Sequence, residues 1–298
     1  MPDSLTLKWR TIAFIDSLLS KPAEQLHPVK AREVLRKSAT GPAVVMGRHA
    51  KLESVQDASI AGVKVRRYRP LNAKRGLLVY FHGGGWVLGD VDSHDSPVRA
   101  LALATEREVI SVDYRLAPEH RYPAAFDDSL AVTRALVGDQ SVVVAGDSAG
   151  GNLAAVVANR CAADGVKLAA QVLLYPVTDC AAETPSYDAY GTGHFLTRQT
   201  MRYFLREYLP EESRRHEPEC SPLRAASLKG VAPGYVLLAG CDVLRDEGRA
   251  YAKRLLEHGV ETLMDEVPGV LHGFFSLQGL SEGRAATTRV AKWLNPRW

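Results

Sequence analysis

The feature that most constrains the fold is a series of short apolar runs separated by helical segments. Apolar runs occur at residues 77–81, 108–112, 141–145, 171–175 and 235–239. Near-continuous apolar strands are typical of a parallel sheet that is buried on both faces. Segments with helical character lie between them, at residues 94–104, 124–137, 150–163 and 246–258. The alternation of strands and helices therefore predicts βαβ units and an α/β fold with a mostly parallel central sheet.

Weaker patterns complete this outline at both ends of the chain. Alternating residues at 63–68 predict a half-buried strand, and a last strand and helix are expected at about 262–267 and 283–294. Residues 1 to about 40 show apolar positions at helical spacing, and His27-Pro28 can open a second short helix. These N-terminal helices are either ordinary amphipathic helices on a core or part of a lid.

One segment, residues 183–223, interrupts the regular alternation. It is rich in tyrosine, phenylalanine and proline and lies between two core strands. Such an insertion is either a lid over a pocket or a satellite helical layer with its own aromatic core. We expect four segments: an N-terminal helical part of a cap at 1–45, a first part of the core at 46–182, a cap insertion at 183–223, and a second part of the core at 224–298.

Charge and composition exclude several classes of protein. The chain of 298 residues has a net charge of +3 and scattered lysine and arginine residues, which does not favour a nucleic-acid partner. No run approaches the ~20 apolar residues of a membrane span. The apolar run at 11–19 is interrupted by Asp16 and is not followed by a cleavage site, so we expect no signal peptide.

The cysteine pattern gives no sign of a metal site. No C-x-x-C pair or zinc-ligand spacing is present. We expect the four cysteines to be reduced and buried, which favours the cytoplasm. They are Cys161, Cys180, Cys220 and Cys241.

The strongest chemical signal is Gly146-Asp-Ser-Ala-Gly-Gly151, a G-x-S-x-G motif between a predicted strand and a predicted helix. That context is typical of a nucleophile elbow, in which a strained turn exposes the serine hydroxyl. Gly146 and Gly150 flank Ser148 because a Cβ at either position would crowd the turn. The alternative is a glycine-rich turn with an incidental serine. A P-loop is excluded because no Gly-Lys-Ser/Thr follows.

A second signal is His82-Gly-Gly-Gly-Trp86, directly after the strand at 77–81. Consecutive glycines expose backbone N–H groups that can stabilise an oxyanion. We predict Gly84 and Gly85 as donors, with Ala149 as the third. We expect His82 to hold the loop.

Candidates for the acid and the base follow the last two core strands. Asp242 lies just past the strand at 235–239, where an open α/β sheet places its active site. Asp246 and Asp179 are alternatives, but Asp246 has a ready role at the start of a helix. His272 lies in a loop after the last strand, so the order of serine, aspartate and histidine is that of α/β hydrolases. His258 is better explained as a helix cap.

Taken together, these motifs resemble the bacterial hormone-sensitive-lipase-like carboxylesterases. The matching stretches span most of the chain in the family's order: 81–86, 113–120, 146–152, 175–176, 242–248 and 272–274. The resemblance implies an α/β-hydrolase fold with a helical cap, hydrolysis of short- to medium-chain esters, no cofactor, and homodimerisation. One departure is Val243, where the family often has proline. Valine should stiffen the loop less than proline would.

The resemblance also bears on the substrate pocket and on rival functions. Trp86, Asp147 and Phe195 are candidates to line the pocket. An amidase or lactonase could use the same three catalytic residues. A ligand-binding receptor on a disabled hydrolase fold is disfavoured because Ser148, Asp242 and His272 are all present.

Overall fold

The computed structural model describes residues 4–19, 21–138 and 140–298, so residues 1–3 and 20 of the predicted N-terminal segment lie outside it. Its centre is an eight-stranded sheet in the order β1-β2-β4-β3-β5-β6-β7-β8. The strands from β3 to β8 pair in parallel, whereas β2 pairs antiparallel with both of its neighbours, β1 and β4. The predicted mostly parallel sheet is therefore confirmed. The strands are β1 (Ser54–Ile60), β2 (Val63–Arg69), β3 (Lys74–Phe81), β4 (Arg107–Val112), β5 (Val142–Asp147), β6 (Ala170–Leu174), β7 (Gly234–Cys241) and β8 (Thr262–Leu271).

Helices lie on both faces of this sheet. They are α1 (Leu7–Leu19), α2 (Pro28–Ala39), α3 (Ala43–Met46), α4 (Asp95–Thr105), α5 (Ala124–Leu136), α6 (Ala149–Ala163), α7 (Pro185–Tyr190), α8 (Arg198–Tyr208), α9 (Arg245–Glu257) and α10 (Ser281–Leu294). Successive side chains of a strand point to opposite faces, so β3 contributes to two cores. Val79 and Phe81 join the cluster that contains residues of α5, α6 and α9, whereas Leu78 and Tyr80 join the cluster that contains residues of α4 and α10.

Two edge strands differ from the sequence prediction. The segment that forms β1 was not predicted as a strand, because it mixes polar and apolar residues without clean alternation and is half exposed. Strand β8 continues to Leu271, past the predicted end at residue 267. It includes Pro268, which an edge strand tolerates because one side of its backbone needs no partner.

The segments predicted as a cap contact one another and the core. The Thr200 hydroxyl in α8 donates a hydrogen bond of 3.0 Å to Glu24, which precedes α2. The ring of Phe204, also in α8, lies directly on the Cα atom of Gly85. Among the described helices, none is both long enough and apolar enough to cross a membrane.

Candidate active site

Ser148 occupies a sharp turn between β5 and α6. Its backbone has φ 56° and ψ −119°, which is unusual for a residue with a side chain. Its N–H donates a hydrogen bond of 2.8 Å to the carbonyl of Leu174 at the end of β6. The turn needs glycine nearby, because a Cβ on Gly150 would lie 1.9 Å from the carbonyl oxygen of Phe81. This packing holds a strained serine against the end of the sheet.

The structure brings Ser148, His272 and Asp242 together in one hydrogen-bonded chain. His272 Nε2 lies 2.9 Å from Ser148 Oγ, and His272 Nδ1 lies 2.7 Å from Asp242 Oδ2. Asp242 is only 1% exposed, and its other oxygen accepts a hydrogen bond of 3.0 Å from the N–H of Leu244. With its proton on Nδ1, His272 can accept the serine proton at Nε2.

The alternative acids and base are engaged elsewhere. Asp246 pairs with Arg245 and Arg249 at the start of α9. Asp179 accepts two hydrogen bonds from Arg224, at 2.8 and 2.9 Å. His258 follows the end of α9 and lies 3.3 Å from the backbone N–H of Leu228. Asp246 and Asp179 are thus paired with arginine residues, whereas Asp242 is hydrogen-bonded to His272.

The predicted oxyanion donors lie in two backbone segments: the loop after β3, which contacts Asp147 through the Gly83 N–H, and the start of α6. Gly84 and Gly85 have φ of 117° and 62°, which a residue with a side chain rarely adopts. The carbonyl of Gly84 accepts hydrogen bonds from Val87 and Leu88, so the loop turns tightly after β3. Ala149 is the first residue of α6, where the helix presents N–H groups and the positive end of its dipole. We call residues 82–88 the oxyanion loop.

Asp147, predicted to line the pocket, lies beneath the oxyanion loop and is 4% exposed. Its Oδ1 accepts hydrogen bonds from the Tyr80 hydroxyl at 2.7 Å and from the Gly83 N–H at 2.9 Å. His94 Nε2 lies 3.5 Å from its Oδ2. The carboxylate thus links the elbow to the start of the oxyanion loop.

Electrostatics in this buried network follow from its geometry. Burial alone would raise the pKa of Asp147, but the charge of His94 and the hydrogen bonds from His94 and Tyr80 outweigh it and lower that pKa. Burial would lower the pKa of His94, but Asp147 raises it. Burial first, and then His94, lowers the pKa of His82 to about 4, so His82 is neutral. The neutral ring stacks on Tyr114 at a centroid distance of 4.2 Å.

The other two predicted pocket residues are aromatic. Trp86 is fully buried and stacks on Tyr208, with ring centroids 4.6 Å apart and planes 6° apart. The structure therefore places Trp86 in the packing that supports the oxyanion loop. Phe195 is half-buried and packs against the cluster that contains Tyr175 and Phe274. No group of three or more histidine, cysteine or acidic side chains in the described residues is arranged to hold a metal ion.

Sequence reasoning missed three residues of this site: His94, Tyr80 and Tyr175. Tyr175 belongs to the matching stretch 175–176 but was given no role, Tyr80 reads as an ordinary strand residue, and His94 reads as a polar residue before a helix. Their roles could not be predicted from the sequence, because each depends on a contact with a residue far away in the chain.

Comparison with known proteins gives consistent results. A model of the alpha/beta hydrolase fold family matches residues 78–276. Ethyl acetate hydrolase of Pseudomonas putida is 38% identical over 277 residues, covering 86% of this chain and 87% of that protein. Carboxylic ester hydrolase LipN of Mycobacterium tuberculosis is 42% identical over 257 residues, covering 78% of this chain and 68% of that protein. The structure of a hyperthermophilic esterase of Pyrobaculum calidifontis superposes with a TM-score of 0.93 at 34% identity, with 98% of both chains covered.

Proposed function

Since the chain belongs to the hormone-sensitive-lipase-like carboxylesterases of the alpha/beta hydrolase fold, we propose that Ser148, His272 and Asp242 are the residues with which it hydrolyses esters. The enzyme hydrolyses carboxylic esters, and we propose short- to medium-chain esters as its substrates and an acyl-enzyme as its intermediate. The single observation that carries the assignment of residues is the hydrogen-bonded chain from Ser148 Oγ through His272 to Asp242.

The first half of the reaction forms the acyl-enzyme. Ser148 Oγ attacks the carbonyl carbon of the ester while His272 Nε2 takes the hydroxyl proton. Asp242 keeps the remaining proton on Nδ1 and stabilises the imidazolium. The backbone N–H groups of Gly84, Gly85 and Ala149 donate to the oxyanion, and losing one such donor typically costs about 10²–10³-fold in rate.

The second half releases both products. The tetrahedral intermediate collapses, the bond to the alcohol oxygen breaks, and the alcohol leaves with the proton from His272. A water molecule then gives a proton to His272 and attacks the acyl carbon. Collapse of this second intermediate returns the proton to Ser148 Oγ and frees the carboxylic acid. No cofactor enters these steps.

We propose that the pocket is shaped by residues on two sides of Ser148. Phe195 would contribute an apolar wall because it is half-buried above the cluster of Tyr175 and Phe274. Trp86 and Asp147 would act from beneath, by supporting the oxyanion loop. Residues 1–45 and 183–223 would form the cap, which is supported by the contact of Phe204 with Gly85.

The decisive experiment compares the wild type with Ser148→Ala on p-nitrophenyl butyrate. Removing the nucleophile should lower kcat by about 10⁴–10⁶-fold, because His272 and Asp242 act only through it. Circular dichroism should show an unchanged fold. Activity that persists in the variant would rule out Ser148 as the nucleophile.

Two further proposals concern the setting of the enzyme. We propose a homodimer, which rests on the family resemblance. Light scattering should give about twice the monomer mass of 32.5 kDa, and the monomer mass would reject the dimer.

We also propose a cytoplasmic location, supported by the buried thiols of Cys161, Cys180 and Cys220. Recovery of the native protein only in an extracellular fraction would reject it.

A further inference from the structure

Tyr175 has a strained backbone at the end of β6. Its φ is 37°, which is a genuine outlier for a bulky side chain. Its N–H donates a hydrogen bond of 2.6 Å to the carbonyl of Leu237 in β7. The preceding carbonyl, of Leu174, accepts the N–H of Ser148. Backbone strain of this kind persists only where the surroundings hold it in place, and such positions cluster at functional sites.

The strained backbone directs the ring of Tyr175 toward the base of the proposed triad. The centroids of the Tyr175 and His272 rings are 4.7 Å apart with planes tilted by 58°. The same ring lies 5.7 Å from Phe274, two residues after His272. Tyr175 is 1% exposed, and its hydroxyl lies near Ser276 and Phe275 without forming a hydrogen bond of good geometry to any described residue. The contact with His272 is therefore one of ring packing.

Two hydrogen bonds alone do not fix an imidazole ring. His272 is held at Nδ1 by Asp242 and at Nε2 by Ser148. The ring can still rock about the line that joins these two nitrogens, and the loop that carries it can move. A rigid group packed against the ring removes this freedom. Catalysis is sensitive to such motion, since a misplacement of about 1 Å can cost ~10²-fold in rate.

We propose that Tyr175 is a positioning residue for His272, whose ring holds the imidazole and the loop after β8 in register with Ser148. The inference rests on the proposed function, because Tyr175 acts through His272. It follows that the ring of Tyr175 matters and its hydroxyl does not. Tyr175 contributes to kcat and leaves substrate binding unchanged.

The test uses three substitutions at this position, with kcat and KM measured on p-nitrophenyl butyrate and corrected for the folded fraction. Tyr175→Phe keeps the ring and should retain nearly all of kcat. Tyr175→Leu removes the ring and should lower kcat by about 10²-fold with KM unchanged. Tyr175→Asn should show the same loss. Asparagine tolerates a positive φ, so this variant decides the question if the leucine variant does not fold.

Tyr251→Leu is the matched control for the loss of a buried tyrosine. Tyr251 is fully buried in α9, and its hydroxyl bonds Asn159, away from Ser148 and His272. This variant should lose stability and keep kcat. The proton NMR resonance of the Nδ1–H between His272 and Asp242 should broaden in Tyr175→Leu and Tyr175→Asn but persist in Tyr251→Leu.

The outcomes separate this inference from the proposed function when Ser148→Ala is run beside the variants. An inactive Ser148→Ala together with wild-type kcat in Tyr175→Leu or Tyr175→Asn would overturn only the role of Tyr175. A loss in Tyr175→Phe equal to that in Tyr175→Leu would also overturn it, since the ring would not be the cause. An active Ser148→Ala would overturn both.

Discussion

At the scale of single residues, Asp147, the neighbour of the proposed nucleophile Ser148, has a structural role. The Asp147 carboxylate is directed away from the hydrogen bond between Ser148 and His272, because it lies beneath the oxyanion loop and accepts hydrogen bonds from Tyr80 and Gly83. His94, which lies 3.5 Å away, adds a charge that favours the ionised carboxylate. This carboxylate is costly to remove, since the Tyr80 hydroxyl would lose its acceptor and the Gly83 N–H would keep only the longer contact, of 3.3 Å, with His94 Nε2.

We expect Asp147→Ala to lower kcat by about 10²-fold with little change in KM. The substitution removes the nearer acceptor of the Gly83 N–H, at 2.9 Å, and leaves only the longer contact of 3.3 Å with His94 Nε2, so the oxyanion loop is held less firmly beside the elbow. Steady-state kinetics on p-nitrophenyl butyrate measure both constants. Asp147→Asn is the matched control, because its amide oxygen can still accept from Tyr80 and Gly83. A wild-type kcat in Asp147→Ala would contradict the supporting role.

At the scale of secondary-structure elements, α2 is attached to the oxyanion loop by one arginine. Arg32 Nε donates to the carbonyl of Val87 at 2.7 Å, and a terminal nitrogen donates to the carbonyl of Ala117 at 2.7 Å. The guanidinium also forms a two-point ion pair with Glu119. A planar guanidinium suits this geometry because its donors are fixed in direction. Arg36, one turn later, only pairs with Asp90 while half exposed.

This difference predicts unequal effects of two substitutions in the same helix. Arg32→Ala should lower the free energy of unfolding by about 2 kcal/mol, because two backbone carbonyls lose charged donors. Arg36→Ala should cost less than about 1 kcal/mol, as is usual for exposed ion pairs. Urea unfolding of both variants measures the two values. Equal effects would mean that the carbonyl contacts of Arg32 add nothing to the attachment of α2.

At the scale of the whole molecule, the proposed cap and the core would together decide which substrates fit. Ser148 is 8% exposed, and the ring of Phe204 from α8 rests on Gly85 of the oxyanion loop. The oxyanion loop and α8, which lie about 120 residues apart in the chain, are therefore in contact next to a largely buried Ser148. A site enclosed in this way favours a substrate of limited size that can be largely buried.

We accordingly expect p-nitrophenyl esters of acids with about four to eight carbons to be hydrolysed faster than long-chain triglycerides. The measurement is kcat/KM along a series of acyl chain lengths, with an emulsified triglyceride as the comparison. The Ser148→Ala variant serves as the blank for spontaneous hydrolysis. Activity confined to long-chain emulsions would show that the site opens far more widely than the contact of Phe204 with Gly85 indicates.

Much of this protein was predictable from the sequence, because tight turns and buried strands require particular residue types at neighbouring positions. The turn at Ser148 needs Gly150, the oxyanion loop needs consecutive glycines, and buried parallel strands need unbroken apolar runs. The order of Ser148, Asp242 and His272 could also be read, since each follows a core strand at the same edge of the sheet. Where the sequence pattern was weak, as in the half-exposed edge strand β1, the prediction failed.

The remaining features depend on the tertiary structure alone. The hydrogen bonds of Asp147, the ring of Tyr175 against His272 and the attachment of Arg32 to the oxyanion loop join residues far apart in the chain. Nothing beside these residues in the sequence indicates such contacts, because the pairing and twist of the strands decide which side chains meet. The sequence by itself determined which groups could do the chemistry, and only the packing of the sheet, helices and loops decided how those groups are held.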